Sequence, residues 1–348
     1  MNNATKLAQD FEKLLSQSTT VLLTCHTGAD IDALSSVIAT KKLLEQNYPN
    51  LDITAVSERI PASLSFIPSY KEVKNGSILQ TLEKQQFDLV IVLDFSQWHL
   101  ASKTDATAIQ ELVTKAGIPF VVIDHHPEEY KNLESDIYIN LDSTSTCTSL
   151  FILFSQLLQK PILPEVAQVL LYGIVADTNR FKYKYNAASQ ATIFRIVADL
   201  LEKSPESIED IARQMDRFDS EVLKIVSLFI NNITLFNKTF AYTTITEQEL
   251  LEAGVNTKKL GDAALFLANE VIATVDTASH GVVVYPHLQE KNTYTARFRS
   301  TSPDFPVQHI AAKLGGGGHP QSAAARLNVP TVEDAVKKIL ALVENKKS

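Results

Sequence analysis

Short apolar runs rich in β-branched residues punctuate the first half of the chain: TVLLTC at 20–25, DLVIVL at 88–93 and PFVVI at 119–123. Runs of this length without polar alternation predict strands buried on both faces. Residues 51–56 suggest one more strand. Residues 32–46 (DALSSVIATKKLLEQ) place apolar side chains at helical spacing, and 146–159 and 164–176 read as buried helices. Strands alternating with helices predict parallel βαβ units, hence an α/β domain built on a parallel sheet.

Near residue 200 the pattern changes. Residues 205–236 read as helical and lack glycine, and their one proline, Pro205, sits at the N-terminal end, where a helix tolerates it. This stretch is expected to connect a domain over 1–204 to a smaller α+β domain over 237–348. In the latter, FAYTTIT, VIATVDT, GVVVYPH and NTYTARFRS predict strands, and 247–253, 307–314 and 331–346 predict helices. PQSAAARL, from residue 320, also reads as helical. There is no internal repeat and no low-complexity tract.

Composition narrows the class. A chain of 348 residues fits about two domains. With 45% hydrophobic and 21% charged residues it is globular, and disorder over most of it is excluded. No apolar run approaches the ~20 residues of a membrane span. The N-terminal MNNATKLAQDFEKLL carries acidic residues and no apolar core, so it does not read as a signal peptide. Only two cysteines, Cys25 and Cys147, are present, which excludes a disulfide framework and fits a reducing, cytoplasmic setting. A net charge of −8 argues against coating long duplex DNA but leaves room for a small anion held in one pocket.

The candidate chemistry gathers at predicted strand ends. His26, Asp30 and Asp32 follow the first strand, where a helix begins. Asp94 follows the strand DLVIVL, and Asp124, His125 and His126 follow PFVVI. Ligands of open α/β sheets collect at the carboxyl ends of strands. Asp30 or Asp32 also reads as a simple helix N-cap, and Asp94 as a turn residue. Two adjacent imidazoles beside an aspartate are harder to explain structurally, because each buried ring needs partners for both nitrogens. Asp177 interrupts the apolar stretch YGIVAD, and a buried carboxylate is costly unless paired or bound to a metal. These carboxylates and imidazoles exceed the needs of one ion and suit two, in a set that fits Mn²⁺, Zn²⁺, Fe or Co. No thiolate set for structural zinc is present.

In the second half, Gly315–Gly318 lead to His319. Glycines let backbone N–H groups approach an anion, and a helix over PQSAAARL would add its positive end. A flexible linker is the plainer alternative. Upstream, Arg297 and Arg299 alternate on a predicted strand and so share a face. Arginine pairs bidentately with phosphate.

Together these motifs resemble the DHH phosphoesterases, named for the triplet found here at 124–126. His26, Asp30 and Asp32 match the first motif, Asp94 the second and Asp177 the fourth, over about residues 18–185. Ala29 and Ile31 stand where the family usually has proline and glycine, and Asn179 where it has glycine; no ligand is lost. The resemblance implies two divalent ions, most simply Mn²⁺. His26 and Asp30 would hold one, and Asp32, His125 and Asp177 the other, with Asp94 between them. Asp124 would orient the histidines, and His126 would face the substrate phosphate. The segment from Arg299 to His319 resembles the DHH-associated C-terminal domain, which implies nucleotide binding by Arg299, Ser300, Gly316, Gly317, Gly318 and His319. The compact two-domain arrangement resembles the nanoRNase/pAp-phosphatase branch. That implies hydrolysis of very short RNAs and dinucleotides to mononucleotides and of 3′-phosphoadenosine 5′-phosphate (pAp) to AMP, with no long duplex DNA, no membrane and room for a homodimer. A cyclic-dinucleotide phosphodiesterase, with cyclic di-AMP or its linear product as substrate, is the alternative activity. A catalytically silent nucleotide sensor is the alternative of another class.

Overall fold

The computed structural model describes residues 3–126, 131–183, 186–217, 220–272, 275, 277–302 and 304–344. They form two compact units, Met1–Asp216 and Arg217–Ser348.

The first unit contains α1 (Asn3–Gln17), β1 (Thr20–Cys25), α2 (Ile31–Asn47), β2 (Asp52–Ser57), β3 (Lys74–Asn75), α3 (Ile78–Lys84), β4 (Leu89–Leu93) and α4 (Trp98–Ala101). It continues with α5 (Ala106–Ala116), β5 (Phe120–Ile123), β6 (Ile137–Ile139), α6 (Thr146–Phe151), α7 (Pro164–Asp177), α8 (Ala187–Leu201) and α9 (Ile208–Met215). The strands pair in parallel in the order β3-β2-β1-β4-β5-β6. The order reverses between β1 and β4, the point at which such sheets open a crevice at their carboxyl ends. Alternate residues feed two cores. Val21, Leu23, Ile91 and Val121 pack with α1, α2, α6 and α7. Leu22, Val90, Val92 and Val122 pack with α3, α4 and α5 on the other face. Burial on both faces explains the continuous apolar strands.

The register places the chemistry. Cys25 pairs with Leu93, Leu93 with Ile123, and Ile123 with Ile139. The strands therefore end in one row, and His26, Asp94 and Asp124 leave the sheet side by side. Helices α2 and α7 are buried on nearly every side, so neither shows a sharp amphipathic stripe. The helix expected over 146–159 has two geometries, α6 followed by a π-helical segment, Ile152–Leu157.

The second unit contains α10 (Ser220–Asn231), β7 (Thr234–Phe236), β8 (Phe240–Thr244), α11 (Glu247–Glu252), α12 (Leu260–Leu267), β9 (His280–Pro286) and β10 (Thr293–Ser300). It ends with α13 (Gln308–Lys313), β11 (Gly317–Gly318), β12 (Ser322–Asn328) and α14 (Val332–Glu344). Its sheet runs β11-β12-β10-β9-β8-β7, antiparallel except for β8 against β9. One face packs on α13 and α14, the other on α10 and α12. The stretch 205–236 is not one helical connector: Ile211 of α9 lies in the first unit's core, Phe229 of α10 lies in the second's, and Thr234–Phe236 form strand β7, held by antiparallel pairing with β8.

Two further expected elements differ. PQSAAARL is not helical; its residues 322–327 belong to strand β12. Ala323, Ala325 and Leu327 are buried while the residues between them face outward, and β12 pairs with β10 from Thr293↔Asn328 to Arg299↔Ser322. The period of two, completed by a partner strand, overrides alanine's helix preference. VIATVDT does not form the expected strand at its start: Val271 and Ile272 close a π-helical turn, Ala268–Ile272, that continues α12. Ala268 and Ile272, four residues apart, are both buried in the core beside α10. Residues 273, 274 and 276 of this segment lie outside the described residues.

Candidate metal centre

Asp94 is the centre of the site. It follows β4 with a left-handed backbone (φ +66°), a conformation aspartate tolerates better than most residues, and its N–H donates to the Ile123 carbonyl at 3.0 Å. This turn aims a carboxylate that is 3% exposed at both flanking strand ends. One oxygen, Oδ2, lies 3.6 Å from His26 Nε2. The other, Oδ1, lies 3.4 Å from His125 Nε2 and accepts a hydrogen bond from the Thr146 hydroxyl at 2.9 Å.

The remaining groups gather around it. Asp30 does cap α2, accepting from the Ala33 N–H at 3.0 Å, yet its other oxygen lies 3.9 Å from His26 Nε2. Asp32, in the first turn of α2, is buried and accepts from the Thr146 N–H at 2.7 Å and the Cys147 N–H at 3.1 Å. Asp177, the last residue of α7, reaches His125 Nε2 at 3.1 Å. Asp124 is fully buried and uses one oxygen to accept from the His125 N–H at 2.8 Å; the same oxygen lies 2.7 Å from His126 Nδ1. Its Oδ2 has no hydrogen-bond partner among the described residues.

Burial and like charge act together on these groups. Burial raises the Asp32 carboxyl well above the usual range, with Asp177 and Asp94 adding to the effect. Burial works against ionised Asp94 as well, but the His125 and His26 imidazoles outweigh it and hold that carboxyl well below the usual range. Burial alone would lower the histidines. The facing carboxylates reverse this, lifting His26 to about 9 and His125 well above its ordinary value. His126 is raised too, with Asp124 as its nearest carboxylate partner.

This donor set fits divalent cations. Ligand atoms of His26, Asp30 and Asp94 lie within 4.8 Å of one another, as do those of Asp32, Asp94 and His125, and those of Asp94, Asp124 and His126. Asp94 belongs to all three groups. Several carboxylates crowded in a buried site, one with an unpartnered oxygen, repel one another unless a cation enters.

Two contributors had no clear sequence signal. Thr146 holds both Asp94 and Asp32; the run STSTCTS reads only as a helix start. Gly173 on α7 leaves room for Asp32: a Cβ there would sit 2.4 Å from Asp32 Oδ1 and 2.3 Å from Cys147 Sγ.

In the second unit, Arg299 is buried. Its Nε donates to Asn269 Oδ1 and a terminal nitrogen donates to the Phe298 carbonyl, both at 2.7 Å. Ser300 Oγ donates to the Ser302 carbonyl at 2.9 Å. Gly316 and Gly318 press against β12: a Cβ would meet the Ala324 carbonyl oxygen at 2.1 Å or the Ser322 oxygen at 2.5 Å. Gly317 has open space. His319 closes the turn from β11 to β12, its N–H donating to the Ser322 carbonyl at 2.7 Å. The glycine run leads into strand β12 and not into a helix, so the positive helix end expected there is absent; α13 precedes the run instead.

Residues 20–174 match the N-terminal domain of the DHH family, and 237–346 match the DHHA1 domain. The bifunctional oligoribonuclease and PAP phosphatase NrnA of Bacillus subtilis is 26% identical over 316 residues, covering 88% of this chain and 89% of that protein. The cyclic-di-AMP phosphodiesterase PdeA of Listeria monocytogenes is 22% identical over 351 residues, covering 97% of this chain and 49% of that protein. The crystal structure of an exopolyphosphatase-related protein from Bacteroides fragilis has the same fold, with a TM-score of 0.82 at 19% identity over 98% of this chain and 96% of that one. With the histidines and aspartates of the DHH motifs grouped at one row of strand ends and a DHHA1 domain following, the chain belongs to the DHH phosphoesterase family of divalent-metal-dependent hydrolases.

Proposed function

We propose that the protein hydrolyses very short oligonucleotides to mononucleotides and pAp to AMP, using two Mn²⁺ ions. The observation that carries this reading is the similarity to the Bacillus subtilis oligoribonuclease and PAP phosphatase, which runs through both units and 89% of that enzyme. The similarity to PdeA covers 49% of that phosphodiesterase, so cyclic di-AMP is the second substrate to test.

In this reading His26 and Asp30 would hold one ion and Asp32, His125 and Asp177 the other, with Asp94 serving both. Such ions supply an activated water and neutralise charge on the reacting phosphate. Carboxylate and imidazole donors without thiolate suit Mn²⁺. Asp124 fixes the His126 ring through Nδ1, so that His126 stabilises charge on the phosphate or protonates the leaving 3′ oxygen. Arg299, Ser300, the glycines 316–318 and His319 bind the nucleotide.

The test is Mn²⁺-dependent hydrolysis of a dinucleotide, a five-residue RNA, pAp and cyclic di-AMP in parallel. Turnover of the first three ahead of cyclic di-AMP supports the reading. Preference for cyclic di-AMP would replace it, and metal binding without turnover of any would favour the silent sensor.

A further inference from the structure

A cleft of about 620 Å³ lies in the second unit, on the sheet face turned away from α13 and α14. Its lining includes Arg297, Arg326, His287 and the backbone of Gly315 and Gly316. Arg297 is half-buried. Its Nε donates to the Tyr285 hydroxyl at 3.0 Å, and its two terminal nitrogens have no partner among the described residues. Arg326 stands on the neighbouring strand, directly opposite Thr295, with Glu290 beside it at 3.5 Å. The Nδ1 atom of His287 is buried and unpartnered among the described residues. Leu260, Pro286 and Ala324 form an apolar wall and floor.

An anchored guanidinium with its fork unpaired, near a second arginine, suits a phosphate. The apolar surface beside it suits the flat face of a base. Positive charge tracking a backbone next to surfaces for bases is how single strands are held without sequence preference. Arg297 and Arg299 lie on the same face of β10, two residues or about 6.8 Å apart. That interval is close to the step between successive phosphates of an extended strand.

We propose that this cleft receives the next phosphate and nucleoside of a substrate whose nearer phosphate engages Arg299, and so extends the accepted length beyond a dinucleotide. The inference rests on the oligonucleotide reading above. Arg297 binds through its fork, Arg326 adds charge at the outer edge, and Ala324 leaves the floor open.

The test compares full-length wild-type protein with Arg297→Ala, Arg297→Lys and Arg326→Ala. In Mn²⁺, the ratio of kcat/KM for a five-residue oligoadenylate to that for a dinucleotide should fall about tenfold in Arg297→Ala, mainly through KM. Arg297→Lys, which keeps the charge and loses the fork, should recover part of it, and Arg326→Ala should show a smaller fall. An equal fall on both lengths, or no fall, overturns the proposal. In EDTA, where hydrolysis is prevented, fluorescence anisotropy of labelled pentaadenylate should show Kd raised about tenfold in Arg297→Ala. Unchanged affinity overturns the proposal even if the enzyme cleaves RNA. Failure of the wild type to cleave RNA while this binding difference persists would instead refute the hydrolytic reading. If AMP altered dinucleotide turnover through Arg297 with no change in pentamer KM, the cleft would hold a separate effector and the length role would be wrong.

Discussion

Asp94 shows how much one backbone angle can settle. Its left-handed turn after β4 directs one oxygen to each side of the site, and no side chain without a carboxylate could do the same. Replacing Asp94 with alanine should abolish hydrolysis and cut the bound metal to less than two ions per chain, read by metal analysis of the purified protein. Full occupancy with near-normal turnover would remove Asp94 from the centre. Thr146 acts at one remove, since its hydroxyl and N–H fix Asp94 and Asp32. Losing a partner that orients a ligand typically costs 10- to 100-fold in metal affinity. Thr146→Val should therefore weaken Mn²⁺ binding by about tenfold in calorimetric titration, and Thr146→Ser should restore it. Equal affinities for all three proteins would make the contact incidental. Asp94 was legible in the sequence because it ends an apolar strand. Thr146 was not, because its partner lies 52 residues away and nothing local announces it.

At the scale of elements, legibility followed the number of buried faces. Strands β1, β4 and β5 and helices α2 and α7 are enclosed by their own unit, so unbroken apolar runs sufficed to find the strands, and apolar residues at helical spacing to find α2. β12 and the segment after α12 were misread for the opposite reason. Alanine favours a helix and β-branched residues favour a strand when considered alone, but a pairing partner or a core position decided otherwise. α7 carries a further constraint that only packing reveals. Exchanging a mid-helix glycine for alanine ordinarily gains about 1 kcal/mol. At Gly173 the added methyl would meet Asp32 Oδ1 and Cys147 Sγ in a core with nowhere to move, and overpacking costs about 1–3 kcal/mol. The second effect should win. Gly173→Ala should melt at a lower temperature than the parent and bind Mn²⁺ more weakly, because Asp32 is displaced. A higher Tm with unchanged metal affinity would mean that α2 and α7 can part freely.

The whole molecule should report its metal centre through pH. In the metal-free protein His26 titrates near 9 against about 6.5 in an unfolded chain. The folded state therefore binds the extra proton more tightly. Its contribution to stability is fully present below about pH 6.5 and is lost as the pH rises through the folded value near 9. His125, also raised, and Asp32, raised by burial and its carboxylate neighbours, act with the same sign. Asp94, held low by the imidazoles, acts with the opposite sign, but its loss falls on the acid side, outside this window. Metal ligands must shed their protons, so cation binding competes with these protonated states and strengthens as they empty. The metal-free protein should consequently lose Tm steadily from about pH 6.5 to pH 9, while the stabilisation given by a fixed excess of Mn²⁺ grows over the same interval. Scanning calorimetry in EDTA and in Mn²⁺ at several pH values measures both slopes. A metal-free Tm that does not fall over this range, or an Mn²⁺ increment that shrinks with rising pH, would show that the histidines and aspartates at these strand ends do not exchange protons for a cation.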